Sequence, residues 1–134
     1  MKILNIKFKA KRLDNNTWVE GYFYAECGNT YIIEDRQSES MLNRNDAHQV
    51  DPSTVCQFTG LKDCKGKEIF EHDLIHFVGF SYTAEVIWSE GKYSFMVVCY
   101  NKHSYWLHDV IEVCRIERIG NKFDKTSSYE EGNI

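Results

Sequence analysis

The chain has 134 residues, 43% of them hydrophobic and 27% charged, which is the makeup of one globular domain and not of a disordered acidic segment. No run approaches the ~18 apolar residues of a membrane helix, so a membrane protein is excluded as a class. The 16 basic residues against 20 acidic ones give a net charge of −4, which withholds the broad positive field of a phosphate-backbone binder and disfavours nucleic acid as a partner.

Alternation of apolar and polar residues dominates, so the fold class is mainly β. The opening segment sends Ile6, Phe8 and Ala10 one way and Lys7, Lys9 and Lys11 the other, as a half-buried strand with its lysines in water. Asp14, Asn15 and Asn16 supply a turn into a strand over Thr17–Ala25, and Cys27-Gly28-Asn29 a second turn into Thr30–Ile33. These form an N-terminal three-stranded antiparallel meander over about residues 3–34, with an edge strand left open. Residues 35–49 lose the alternation and read as a mobile loop. Pro52 fixes an extended or turn conformation before a strand at Val55–Phe58, and Gly60 and Gly66 mark turns. Then come an apolar run at Leu74–Phe77, a hairpin of Thr83–Trp88 with Lys92–Cys99, a helical turn at His108–Ile111 and a closing strand at Cys114–Ile119. Short strands with one helical turn before the last describe an SH3-like small barrel over about residues 70–120, packed by the meander. A polar tail, 125–134, follows a single domain of residues 1–124.

The central stretch Val50-Asp51-Pro52-Ser53-Thr54-Val55-Cys56-Gln57-Phe58-Thr59-Gly60-Leu61-Lys62-Asp63 continues as Gly66-Lys67-Glu68-Ile69-Phe70-Glu71-His72-Asp73-Leu74-Ile75. Together these closely resemble the signature of the YopX family of phage and prophage proteins. Ile6–Ala10, Trp18–Tyr22 and Ile119-Gly120-Asn121 are similar to that family's opening and closing motifs. The sequence departs at Cys56, Cys64 and His72, where small, polar or glycine residues are more typical, and at Lys122–Lys125, where the family has an aromatic-acidic-Asn-Pro tail. The resemblance implies a β-rich fold and a mobile-element origin in a bacterial host, and it brings no activity, substrate or cofactor with it.

The residues themselves point to no catalytic, cofactor or metal site. Cys56, Cys64, His72 and His76 supply zinc-type donors, but the two cysteines stand eight positions apart and lack the tight knuckle that preorganises paired thiolates. Cys56 then reads as a buried strand residue and His72 as part of a turn. Cys99 and Cys114 lie in apolar runs, where a buried thiol stays neutral and makes a poor nucleophile. The five cysteines form no CxxC pair and follow no signal-like segment, so they read as reduced thiols in a bacterial host cytoplasm.

The function expected is that of a non-enzymatic accessory protein working through contacts with a host or phage protein, with a nucleic-acid-binding barrel as the alternative. The candidate interaction surface comprises Tyr22, Tyr24, Gln57, Thr59, Lys62, Asp63 and Trp106, the last taken as an exposed aromatic. Tyr22-Phe23-Tyr24 offers large side chains to both faces of the meander beside an open edge, from which a homo-oligomer is expected.

Overall fold

The computed structural model describes residues 5–34, 46–99 and 103–124. The expected polar tail at 125–134 lies outside the described residues, as does most of the expected loop at 35–49. The chain divides into two compact units, Met1–Gly60 and Leu61–Ile134.

The first unit contains β1 (Phe8–Lys11), β2 (Trp18–Glu26), β3 (Asn29–Glu34), β4 (Ala47–Val50) and the start of β5 (Cys56–Lys62). These stand in the order β4-β3-β2-β1-β5, and β5 runs on past Gly60 to pair with β6 (Glu68–Phe70) in the second unit. Ala10 faces Val19 across the β1–β2 ladder, and with Ile32 and Val50 they form a small core against which Phe8 and Val55 pack. The apolar alternation in each strand puts these residues on one face. A 3-10 turn at Pro52–Thr54 is capped by Asp51, whose carboxylate accepts the Ser53 amide at 3.0 Å.

Three expectations for this unit are corrected. Residues 47–50 are strand and not loop: β4 pairs with β3, yet only Val50 of its four residues is fully buried, so the sequence carries almost no apolar signal there. The edge of β3 is therefore covered, and β4 is itself tied back to the end of β1. An Arg12–Val50 bridge does this, with the Leu13 amide donating to Gln49 O at 3.0 Å and the Asp51 amide to Lys11 O at 2.9 Å. The lysines of β1 do not stand in water: Lys9 and Lys11 are 5% and 7% exposed. Their ammonium groups lie 4.7 and 5.4 Å from the centre of the Trp18 ring, whose face attracts cations, while their stems cover apolar surface.

The second unit holds β6, β7 (Asp73–Phe77), β8 (Thr83–Ser89), β9 (Ser94–Cys99), β10 (Ser104–Trp106), α1 (Leu107–Val113) and β11 (Ile116–Asn121). Strands β7 to β11 form an antiparallel sheet in the order β10-β9-β8-β7-β11. Strands β10 and β11 stand at its two ends, so among the described residues the sheet is not closed into the expected barrel. The helix supplies one reason. Leu107 and Val110 of α1 are buried with Ile69, Ile75, Val86, Val97 and Ile116, covering with side chains a core that strand pairing would otherwise have to enclose. The fold is thus mainly β, with two antiparallel sheets and one short helix.

Gly21 marks the tightest approach within the first unit. A methyl group there would sit 1.9 Å from the carbonyl oxygen of Ile33 on β3, whereas nothing lies within 4 Å of the corresponding point at Gly28 (φ +81°). Gly21→Ala is therefore expected to lower unfolding stability in urea by more than about 3 kcal/mol, and Gly28→Ala by only about 1 kcal/mol, the ordinary cost of a left-handed backbone. Equal losses in the two variants would show that the β2–β3 approach is not the constraint.

Candidate functional site

The residues shared with the family signature come together in the second unit as a polar frame. Asp63 follows β5, and its carboxylate is 7% exposed. Its Oδ1 accepts the amides of Lys65 and Lys67 at 2.9 and 2.8 Å, closing the turn in which Gly66 takes φ +84°. Its Oδ2 accepts the Arg118 amide of β11 at 2.8 Å. Burial alone would push this carboxyl up, but the amides of Arg118, Lys67 and Lys65 outweigh it and hold the pKa below the usual carboxylate range.

A second buried acid repeats the device. Asp73 is fully buried and accepts the Phe70 amide at 2.7 Å on Oδ2 and the Asn121 carboxamide at 2.9 Å on Oδ1. Arg118 Nε lies 2.9 Å from Oδ2, but its N–H is not aimed at the oxygen, so this contact is one of charge. Asn121, 1% exposed, also donates to Glu71 O at 3.4 Å and accepts the Phe123 amide at 2.9 Å. Two turns and the end of the last strand are thereby joined through side chains that leave little room for a ligand.

His72 sits in the β6–β7 turn with φ +69°, a conformation that costs a non-glycine residue about 1–2 kcal/mol. Here the histidine gains partners instead. Its Nδ1 is 2.9 Å from Glu85 Oε2, its ring meets Phe123 edge-on at 5.3 Å, and its carbonyl accepts the Lys122 amide. The departure at His72 thus contacts the departure at Phe123.

Among the described residues no group of three or more His, Cys, Asp or Glu side chains is placed to hold a metal ion. Cys56 is fully buried in β5, where its thiol lies 3.2 Å from Thr54 O, and Cys64 is exposed in the turn after β5.

Of the candidate surface residues, Tyr22 and Tyr24 are half-buried, Tyr24 stacking on Tyr31 at 5.0 Å, and the exposed member of that run is Phe23. Gln57 and Thr59 are half-buried on β5, and Lys62 is exposed. Asp63 is buried within the frame and so is not a surface group. Trp106 is half-buried beside His108 and under the Lys92 ammonium, 5.9 Å from its ring centre, and its neighbour Tyr105 is the more exposed aromatic.

A concave site lies elsewhere in the second unit. An apolar pocket of about 350 Å³ is lined by Phe77, Phe80, Tyr82, Cys99, Tyr105, Val110, Val113 and Cys114. The turn after β7 brings Phe80 and Tyr82, β10 brings Tyr105, and α1 brings Val110 and Val113, which share a helix face at i and i+3. Phe80, Tyr82, Tyr105 and Val113 are 60%, 56%, 49% and 78% exposed, a concentration of large apolar side chains that folding leaves uncovered. Sequence reasoning missed this site because its residues come from four separate segments with no common motif. The clue available was the run Phe77-Val78-Gly79-Phe80-Ser81-Tyr82, too apolar for an ordinary turn.

The frame has a measurable consequence. A carboxyl with a lowered folded-state pKa contributes stability that is fully present above its unfolded value and is lost as pH falls through the folded one. Asp63→Asn is therefore expected to cost about 2 kcal/mol in urea unfolding at pH 7, with the gap to wild type narrowing below about pH 4. A gap independent of pH would remove the carboxylate charge from the account.

No curated protein matches this chain. The family model described as "YopX protein" matches residues 7–127, which spans both units and every residue of the frame. The chain is a member of the YopX family.

Proposed function

We propose that this YopX protein is a phage- or prophage-encoded accessory protein without enzymatic activity, acting in the bacterial host cytoplasm by seating a segment of another protein in the pocket between the β7–β8 turn, β10 and α1. The observation that carries this reading is the pocket itself: about 350 Å³, with rings and aliphatic groups on its walls, and half of its lining residues among the large exposed hydrophobics. The strand order of the second sheet, with a short helix before the last strand, supports an SH3-like classification for this unit, and small β units of that kind present aromatic grooves to extended segments.

Two features speak against other readings. Among the described residues the pocket wall contains no acid–base pair, and burial pushes the Cys99 thiol up, away from the nucleophilic thiolate. The basic strip on which a nucleic-acid reading would rest loses Lys9 and Lys11 to the Trp18 ring and Arg12 to Asp14, whose carboxylate it meets at 2.6 Å.

Capture from host lysate, with and without phage induction, tests the proposal when wild type is compared with Val113→Asp. Val113 is 78% exposed, so the variant is expected to fold. A protein retained by wild type at both 50 mM and 300 mM salt, and lost on Val113→Asp, is the expected result. Retention of nucleic acid that collapses as salt rises would favour the alternative. A partner held equally by both proteins would move the contact away from the pocket.

A further inference from the structure

The chemistry of the pocket wall narrows what can enter it, granted the reading that a partner segment docks there. None of the eight lining side chains among the described residues carries a formal charge, and the polar groups they offer are the hydroxyls of Tyr82 and Tyr105 and the thiols of Cys99 and Cys114. The Cys99 thiol stays protonated because burial raises its pKa. A charged side chain entering this space would give up hydration and meet no counter-charge in return.

The rings, by contrast, are already arranged for one another. Phe80 and Tyr82 stack with centroids 5.7 Å apart and planes 17° apart, and Phe77 meets Tyr82 edge-on at 6.3 Å. Such a wall presents both ring faces and ring edges, the two surfaces that an additional aromatic ring prefers to contact. The volume agrees with a single occupant of that kind: a dry cavity of ~150 Å³ accommodates benzene, and about 350 Å³ leaves room for a fused bicyclic ring with part of its stem.

We infer that the pocket takes one neutral aromatic side chain, of tryptophan size, presented by a partner protein. An aliphatic side chain fits the volume but forgoes the ring–ring contacts, and the difference is expected to be about tenfold in affinity.

The experiment is a titration of the full ¹⁵N-labelled chain, followed by amide shifts, with three capped amino acids: N-acetyl-tryptophanamide, N-acetyl-leucinamide and N-acetyl-glutamate amide. The inference predicts saturable shifts from the tryptophan compound at Phe77–Tyr82, Tyr105 and Val110–Cys114. It also predicts about tenfold weaker binding of the leucine compound and no saturable shift from the glutamate compound. Val113→Asp should abolish the tryptophan response and leave amides remote from the pocket unmoved. The inference is overturned by equal or tighter binding of the leucine compound, by tryptophan shifts that ignore Val113→Asp, or by no response up to the solubility limit. Loss of the ring preference while partner capture still depends on Val113 would leave the docking reading standing with an aliphatic anchor. Indifference of both measurements to Val113→Asp would remove the docking reading as well.

Discussion

A buried carboxylate is tolerable only when hydrogen bonds replace its water, and the second unit is built around two that meet this condition. Asp63, in the turn after β5, and Asp73, at the start of β7, each reach β11, one to the Arg118 amide and the other to the Asn121 carboxamide. Apolar packing of Ile69, Ile75, Val86, Val97 and Ile116 supplies a large share of the burial, but it does not specify where two irregular turns and a bulged last strand must meet. The acids do, because each has a small set of directional donors at fixed distances. The amides of Lys65 and Lys67, in the turn after β5, and of Phe70, at the end of β6, are satisfied by these carboxylates.

This gives the family signature a physical meaning. Asp63, Gly66, Asp73 and Asn121, all within stretches that carry the likeness, act on backbone geometry and on one another. In that role Asp63, Asp73 and Asn121 are inside, which removes Asp63 from the surface on which the sequence alone would place it. An uncovered apolar patch sits instead on the β7–β8 turn, β10 and α1.

Much of the architecture was legible in the sequence because alternation reports one buried face directly, as in Phe8 and Ala10 of β1 or Ala84 and Val86 of β8. The places where the reading failed share a cause: the determining interaction lies across strands and leaves no local pattern. β4 places only Val50 in the core, so Ala47, His48 and Gln49 become strand through pairing with β3. Lys9 and Lys11 alternate as solvent-facing residues should, and only the position of Trp18 on the neighbouring strand shows that their charges lie over a ring. Closure of the second sheet was inferred from strand count, and the two apolar residues by which α1 fills the core are too few to announce it. The pocket draws single residues from distant segments, and spacing along the chain carries no trace of that convergence.

The account stands on the claim that the signature acids hold the fold, and Asp73→Ala tests it most directly. The measurement is urea unfolding of this variant beside wild type, with partner capture scored on the folded fraction of each. Removing the carboxylate takes an acceptor from the Phe70 amide and the shorter of two acceptors from the Asn121 carboxamide, and it removes the negative charge beside Arg118 Nε. The expected result is a loss of about 3–5 kcal/mol with capture by the remaining folded protein intact. A variant as stable as wild type that no longer retains its partner would contradict the account, because Asp73 would then serve recognition and not the frame.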